Sequence, residues 1–208
     1  MLHKAKLEGF ATRADKLAAA ARSLKRQSSV TAPFSLAFLT DQKRAPQAQQ
    51  IAGALPRGAA VILRDYGHKR RAKLAAQLKS ICAARGLFLL IGADLALAED
   101  IGADGVHFPS WYEGARNVPP GTIKTAACHS AADLNGIKTE DIDVVLLSPA
   151  FPTASHLGAP ALGADNFRRL ASLSPRPVLA LGGVNENNAE QLSGANVAGI
   201  AAIGAFLI

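Results

Sequence analysis

The chain has 208 residues, 49% hydrophobic and 19% charged, so it has enough apolar residues for a large core and too few charges for a disordered chain. Its formal net charge is +7, but no aromatic residues that could stack bases interleave with its lysine and arginine clusters, which argues against nucleic-acid binding. No apolar run reaches the roughly 18 residues of a membrane span and the first residues do not form a signal sequence, so we expect a cytoplasmic protein that binds no membrane.

The first predicted element is an amphipathic helix over residues 4–27. Apolar residues recur there at alternating steps of three and four, which is the spacing of one helix face: Leu7, Phe10, Ala14, Leu17, Ala21 and Leu24. Small polar residues and Pro33 then interrupt the pattern. We therefore divide one domain into an N-terminal helix and linker over residues 1–32 and a barrel over residues 33–208.

Beyond the linker, a short apolar run followed by a helical pattern recurs along the chain. This alternation is typical of βα units in a parallel sheet. Eight runs are predicted to be strands: Ser35–Leu39, Ala59–Leu63, Leu87–Ile91, Gly105–His107, Thr122–Ala126, Val144–Leu147, Val178–Leu181 and Gly199–Ile203. Eight such units indicate an α/β protein with the (β/α)8 TIM-barrel fold, preceded by an extra N-terminal helix.

Helices are predicted between the strands: Gln47–Leu55, His68–Arg85, Leu95–Asp100, Trp111–Arg116, Ala131–Asn135, Asp165–Ser172 and Glu186–Leu192. The sequence reaches Ile208 just past the eighth strand, so we expect no helix after that strand. The outer face of strand eight then needs a cover, which either the N-terminal helix or a partner subunit of a homo-oligomer would supply. The alternative is an N-terminal helix that caps the bottom of the barrel.

Candidate functional residues are those that follow the strands, because the active site of a parallel barrel lies at the carboxyl ends of its strands. Seven side chains stand out at such positions: Arg64, Asp65, Asp94, His107, His129, Thr153 and His156. His129 could transfer a proton near neutral pH, although its position fits a histidine held by loop backbone equally well. His107 is expected to support the barrel mouth. The three histidines have no metal-site spacing and no dedicated carboxylate, so we predict no metal.

The residues after strands seven and eight predict a phosphate site made of backbone N–H groups. Its four members are Gly182 and Gly183 after strand seven, and Gly204 and Ala205 after strand eight. Glycine lets a phosphate approach the backbone closely, and TIM barrels frequently bind phosphate at these two strands. The alternative is that the glycines serve tight turns only. The long loop after strand six would add Thr153, Ser155 and His156 as ligands for an anion, the alternative being a solvated connection that binds no ligand.

Seven segments, taken in order, resemble the thiamin phosphate synthase/TenI family: Ile62–Asp65, Asp94–Leu97, Gly102–Phe108, Cys128–Ser130, Ser148–Thr153, Pro177–Val184 and Gly199–Gly204. The most specific are the Gly-Ala-Asp-Gly-Val-His run, the Phe-Pro-Thr loop and the glycines that end strands seven and eight. The resemblance extends from about residue 35 to the end of the sequence. It implies a barrel of thiamin biosynthesis that holds a thiazole-type phosphate on Gly183, Ile203 and Gly204.

The resemblance implies two reactions. Synthases of the family join a thiazole phosphate to a pyrimidine pyrophosphate with magnesium and release pyrophosphate, whereas the TenI-like branch tautomerises a thiazole phosphate carboxylate with a histidine that matches His129. After strand two, the family's Gln-Leu-Arg-Glu-Lys is replaced by Ile62–Tyr66, which keeps Arg64 and loses the lysine. After strands three and four, the sequence has Gly92-Ala93 and Pro109–Tyr112 where the family has its magnesium carboxylates.

We therefore predict a TenI-like thiazole tautomerase that needs no cofactor, with His129 as acid/base and with Arg64, Thr153 and His156 around the substrate. Magnesium would be required only by the first alternative, a magnesium-dependent thiamin phosphate synthase. A second alternative is a non-catalytic protein that binds thiazole or thiamin phosphate. A third is another phosphate-sugar barrel enzyme, for which Asp94 is the candidate for a second acid/base.

Overall fold

The structure, a computed structural model, describes residues 2–113, 118–138, 141–153 and 160–207, with side chains from Glu8 onward. Eight parallel strands form a closed barrel in sequence order, and the eighth pairs with the first. The strands are β1 (Leu36–Leu39), β2 (Ala60–Leu63), β3 (Phe88–Gly92), β4 (Gly105–Phe108), β5 (Ile123–Cys128), β6 (Val144–Leu147), β7 (Val178–Ala180) and β8 (Val197–Ala202). The predicted TIM-barrel fold is confirmed, and no strand end differs from its prediction by more than two residues.

The strands lie between the barrel interior and the surrounding helices, which is why the sequence marks them as continuous apolar runs. All four residues of β2 and all six of β8 are buried. Where β8 meets β1, Gly199 lies so close to the neighbouring chain that a Cβ would be 1.9 Å from the carbonyl oxygen of Ser35. Closure of the barrel therefore requires glycine at this position.

The helices of the described residues are α1 (Leu2–Gln27), α2 (Ala48–Ala54), α3 (Arg71–Arg85), α4 (Leu95–Asp100), α5 (Ala131–Asn135) and α6 (Gly163–Leu173), with 3-10 helices at Ala189–Leu192 and Gly204–Phe206. Three predicted helices need correction. The helix predicted from His68 begins at Arg71, and Nδ1 of His68 accepts a hydrogen bond from the N–H of Arg70 in the turn before it. Residues 186–188 are not helical, because the side chains of Asn185 and Asn188 hydrogen-bond backbone N–H groups in this turn. Residues 111–113 are not helical either, and the rings of Trp111 and Tyr112 pack on Tyr66 and Phe108. Residues 114–116 of that prediction lie outside the described residues.

The N-terminal helix α1 covers the outer face of β8, in the space between α2 and the 3-10 helix at Ala189–Leu192. The predicted apolar stripe of α1 is buried at Phe10, Ala14, Leu17, Ala21 and Leu24, while Leu7 precedes the described side chains. Gln27 donates a hydrogen bond of 2.6 Å to Glu190 and fixes the end of the helix. Of the alternatives for strand eight, the helical cover is confirmed. No described helix combines the length and the apolar character needed to cross a bilayer.

Candidate functional site

The loops at the carboxyl ends of the strands surround two adjoining cavities. The larger, of about 410 Å3, is bordered by Arg64, Tyr66, His107, Trp111, His129 and Thr153 among others. The smaller, of about 300 Å3, lies over the ends of β7 and β8 and is bordered by Gly182, Gly183, Ile203 and Gly204. Five residues border both: Arg44, Thr153, Leu181, Gly182 and Ile203. The structure thus brings together the predicted residues His129, Arg64, Thr153 and the phosphate cradle, whereas Asp65 and Asp94 border neither cavity. Ser155 and His156 lie outside the described residues.

The turn after β7 requires its two glycines for backbone reasons. Gly182 and Gly183 have φ angles of 88° and 66°, and positive φ is unfavourable for residues that have a Cβ. A Cβ on Gly183 would lie 2.5 Å from the carbonyl oxygen of Pro152, because the loop after β6 packs directly on this turn. Within the described residues, the backbone N–H groups of Gly183 and Val184 have no hydrogen-bond acceptor. The turn therefore presents two open donors at the cavity, which suits an anion.

The end of β8 completes the opposite edge of the smaller cavity. Gly204 is exposed, and a Cβ at this position would meet nothing within 4 Å. Packing therefore does not explain glycine at position 204, and the space beside its backbone is open to a ligand. On the facing turn, the side chain of Asn188 donates a hydrogen bond of 2.9 Å to the Gly183 carbonyl and fixes the orientation of that peptide.

His129 is held in a defined orientation between β5 and α5. Its backbone N–H donates to a carboxylate oxygen of Asp133 at 2.6 Å, and the same oxygen accepts from the N–H of Ser130. Its Nδ1 lies 3.0 Å from the carbonyl oxygen of Ser148 and 3.1 Å from the Ser148 hydroxyl. Because a carbonyl can only accept, Nδ1 carries the hydrogen in the neutral ring and Nε2 is the basic nitrogen. This arrangement is suitable for proton transfer at Nε2.

His107 lies at the floor of the larger cavity and is buried, with Nδ1 2.9 Å from the Thr125 hydroxyl. Burial, together with the positive charge of Arg64, lowers the pKa of His107 to about 3. The ring is therefore neutral at physiological pH. These contacts fit the expected supporting role for His107.

The loop after β1 adds cationic side chains that were not among the predicted site residues. Nε of Arg44 lies 3.0 Å from Oδ2 of Asp41, and Nη2 of Arg64 lies 3.6 Å from the same oxygen. Burial opposes ionisation of Asp41, but the hydrogen bonds of Arg44 and the charges of both arginines lower its pKa overall. Lys43 borders the same cavity, so this wall carries one carboxylate, that of Asp41, and three cationic side chains. These residues follow strand one, so their position after a strand is the signal in the sequence that marks them as ligand candidates.

Two predicted carboxylates do not face the ligand space. Oδ2 of Asp94 pairs with Arg71 at 2.8 Å, while its Oδ1 accepts from the N–H of Leu97 and caps α4. Oδ1 of Asp65 accepts a hydrogen bond of 2.6 Å from the N–H of Gln42 and joins the first two loops. Asp94 is therefore engaged structurally and is a poor second acid/base, which removes the support for a phosphate-sugar isomerase.

An aromatic pair lies at the ends of β2 and β4. The rings of Tyr66 and Trp111 meet edge to face, with 5.2 Å between their centroids.

Within the described residues, no three His, Cys, Asp or Glu side chains form a group that could hold a metal ion. Magnesium prefers several oxygen ligands with at least one carboxylate, and the carboxylate of Asp94 is already paired. The residues at this corner therefore do not fit the magnesium that the family resemblance implies for the synthase reaction.

Comparison with known proteins identifies the family of this chain. The profile of the thiamine monophosphate synthase family matches residues 36–206. The thiamine-phosphate synthase of Limosilactobacillus reuteri is 32% identical over 144 residues, covering 64% of this chain and 65% of that protein. The thiamine-phosphate synthase of Chlamydia caviae is 30% identical over 184 residues, covering 83% and 87%. The thiamine phosphate pyrophosphorylase structure from Pyrococcus furiosus shares the fold, with a TM-score of 0.66, 19% identity and 87% of each chain covered. Since the family profile spans more than half of the sequence, the chain belongs to the thiamine monophosphate synthase family.

Proposed function

We propose that this barrel binds a thiazole-type heterocyclic phosphate and that His129 moves a proton on the bound ring, as in a thiazole tautomerase. The observation that carries the proposal is that the open N–H groups of Gly183 and Val184 and the oriented ring of His129 border adjoining cavities. The phosphate would lie against Gly182, Gly183, Ile203 and Gly204. Membership of the family supports a phosphorylated heterocycle as the ligand.

The proposed chemistry uses this chain's own groups. Nε2 of His129 takes a proton from one carbon of the heterocycle, the electron pair shifts within the ring system, and the imidazolium returns a proton to another position. No leaving group departs, so the step is balanced without a metal or an oxidant. The anchored phosphate would hold the ring at a fixed distance from His129, which lowers the entropic barrier. Arg64 and Thr153 border the same cavity, and His156 is proposed beside them from the sequence alone.

A second candidate is the coupling reaction of a thiamine-phosphate synthase. The relatives named above carry this name, which favours the coupling reaction over the predicted tautomerase. The basic wall of Lys43, Arg44 and Arg64 could receive a diphosphate group. Against it, the corner at β3 and β4 does not supply carboxylates for magnesium, so we derive no step through that ion.

The decisive measurement is turnover of a thiazole phosphate carboxylate by the unmodified protein and by the His129→Ala variant. General acid–base catalysis contributes about 100-fold or more, so we expect the variant to lose at least that factor in kcat. Its affinity for the substrate should be unchanged, because His129 is not part of the phosphate cradle. His68→Ala is the matched control, since His68 is a histidine outside both cavities.

Three outcomes separate the candidates. Turnover that is lost in His129→Ala supports the tautomerase. The synthase would replace the tautomerase if the protein released pyrophosphate from a pyrimidine pyrophosphate and a thiazole phosphate in the presence of magnesium, without tautomerisation. Tight binding without either turnover would indicate a binding protein.

A second comparison tests the phosphate cradle separately. Gly204→Asp places a negative charge in the open space beside the cradle, whereas Gly204→Asn adds a neutral side chain of the same shape. We expect the aspartate variant to bind thiazole phosphate more weakly than the asparagine variant. Equal affinities would contradict a phosphate at this position.

A further inference from the structure

Tyr66 and Trp111 are exposed at the cavity although both are large and apolar. Trp111 is 60% exposed and Tyr66 is 40% exposed. The third exposed large hydrophobic residue among those described is Leu173, which is the last residue of α6 and borders neither cavity. An exposed indole beside a phenol ring, on the wall of a ligand-sized cavity, is a feature of sites that bind aromatic rings.

The position of Tyr66 is fixed by its surroundings. Its ring lies on Gly92 at the end of β3, where a Cβ would be 2.9 Å from the tyrosine Cε1 and 3.0 Å from the Leu63 carbonyl. The guanidinium of Arg71 lies 5.8 Å from the centre of the Tyr66 ring and donates to the carbonyls of Leu63 and Gly92. Asp94 pairs with the same guanidinium. The ring of Tyr66 is therefore already in place before a ligand arrives, and Trp111 packs on it edge to face.

The aromatic pair and the proposed phosphate cradle lie on opposite sides of one cavity. Tyr66 and Trp111 border it on the β2–β4 side, Gly182 and Ile203 border it on the β7–β8 side, and His129 lies on its wall. A planar ring between the two sides would meet an aromatic surface, while an anionic group attached to that ring would reach the backbone donors.

We propose that Tyr66 and Trp111 form a stacking surface for the planar heteroaromatic ring of the ligand. This inference rests on the proposed function, because it names the group that recognises the ring of the same phosphorylated ligand. It assigns the β2–β4 corner, which does not fit a metal–diphosphate complex, to an uncharged part of the ligand.

Trp111 is the only tryptophan of the chain, so its fluorescence reports on this surface directly. Three probes separate ring from phosphate: thiazole phosphate has both groups, the unphosphorylated thiazole alcohol has only the ring, and glycerol 3-phosphate has only the phosphate. We expect both thiazole compounds to change the Trp111 emission and glycerol 3-phosphate to leave it nearly unchanged.

Calorimetric titration of variants gives the second readout. Removal of one stacking side chain typically weakens binding of a planar base about tenfold, so Trp111→Ala and Tyr66→Ala should each bind thiazole phosphate about tenfold more weakly. Their affinity for glycerol 3-phosphate should stay at the level of the unmodified protein. Leu173→Ala is the matched control, because it removes an exposed apolar side chain away from the cavities. Circular dichroism and thermal unfolding verify that each variant is folded.

The possible failures are distinguishable. If the thiazole alcohol changes the Trp111 emission but no phosphate binds, the stacking surface stands and the proposed phosphate cradle fails. If Trp111→Ala weakens glycerol 3-phosphate as much as thiazole phosphate, the pair only supports the loops and the inference is wrong. Unchanged thiazole affinity in both aromatic variants, or no binding of any thiazole compound to the unmodified protein, would also overturn it.

Discussion

The two sides of the barrel mouth are built in different ways. On the β7–β8 side, the groups available to a ligand are backbone N–H groups, positioned by glycine turns and by the loop after β6. On the β2–β4 side, they are the side chain of Tyr66, beside which Arg71 lies, and the side chain of Trp111, which meets the Tyr66 ring edge to face. A backbone site depends on the path of the chain, whereas a side-chain site can be rebuilt by a few substitutions while the barrel stays intact. We therefore expect the phosphate side to follow the fold, and the aromatic side to determine what this particular chain accepts.

The largest effect is expected from Gly183→Ala, which tests whether the phosphate side is fixed by backbone. The new Cβ would need a positive φ and would lie 2.5 Å from the Pro152 carbonyl, so the turn and the loop after β6 must move apart. Strain of this kind costs about 3 kcal/mol. Urea unfolding should show that loss, and phosphate affinity should fall with it.

The control for this variant is Gly204→Ala, since a Cβ at position 204 meets no atom within 4 Å. Its free energy of unfolding should stay close to that of the unmodified protein. If both alanine variants were equally stable, the rigid turn described for the phosphate side would be wrong.

A smaller effect is expected from Arg71→Met, which removes the support of the aromatic side only. The substitution deletes the ion pair with Asp94 and the hydrogen bonds to the carbonyls of Leu63 and Gly92. We expect a loss of about 2 kcal/mol in the free energy of unfolding, because hydrogen bonds to a largely buried charged group are among the stronger ones. Affinity for glycerol 3-phosphate should be retained, and a large decrease would show that the two sides are coupled.

The smallest effect is expected in the pH dependence of stability, through His107 at the floor of the larger cavity. His107 has a folded-state pKa of about 3 and a normal value of 6.5, so between these values the unfolded chain binds the extra proton. Stability should therefore fall as the pH drops below 6.5, by about 1 kcal/mol between pH 7 and pH 5.5 from this group. Urea unfolding at the two pH values measures the difference, and His107→Asn should reduce it. An unchanged slope in the variant would assign the pH dependence to other groups.

The sequence was sufficient for the barrel because buried parallel strands leave a local signal. Each strand is a short apolar run bounded by turn residues, and the β6 boundaries at Val144 and Leu147 match the prediction. The sequence did not decide which element covers β8. An apolar stripe on α1 shows that one face of the helix is buried, but it does not show against which element. The non-helical residues 111–113 show the same limit, because a local preference does not contain the contact that Trp111 makes with Tyr66.

The candidate site was only partly predictable. Position after a strand identified His129 and Arg64, because the fold fixes where strand ends lie. It could not identify Arg71, whose long side chain reaches from α3 to the end of β3. It also gave Asp94 a place among the reactive candidates, although the carboxylate is engaged by that same arginine. Partners between loops depend on three-dimensional distances that no local pattern contains.

The packing of α1 on β8 also has a consequence for the order of folding. The side chains of Ser23 and Glu190 hydrogen-bond although they are 167 positions apart in the chain. During synthesis, the apolar face of α1 therefore emerges from the ribosome long before the strand that it covers. Contacts this distant form late, and apolar surface that waits for them is exposed to aggregation. The helix that completes the outer layer of the barrel is thus also an apolar surface that the nascent chain carries through most of its synthesis before β8 can cover it.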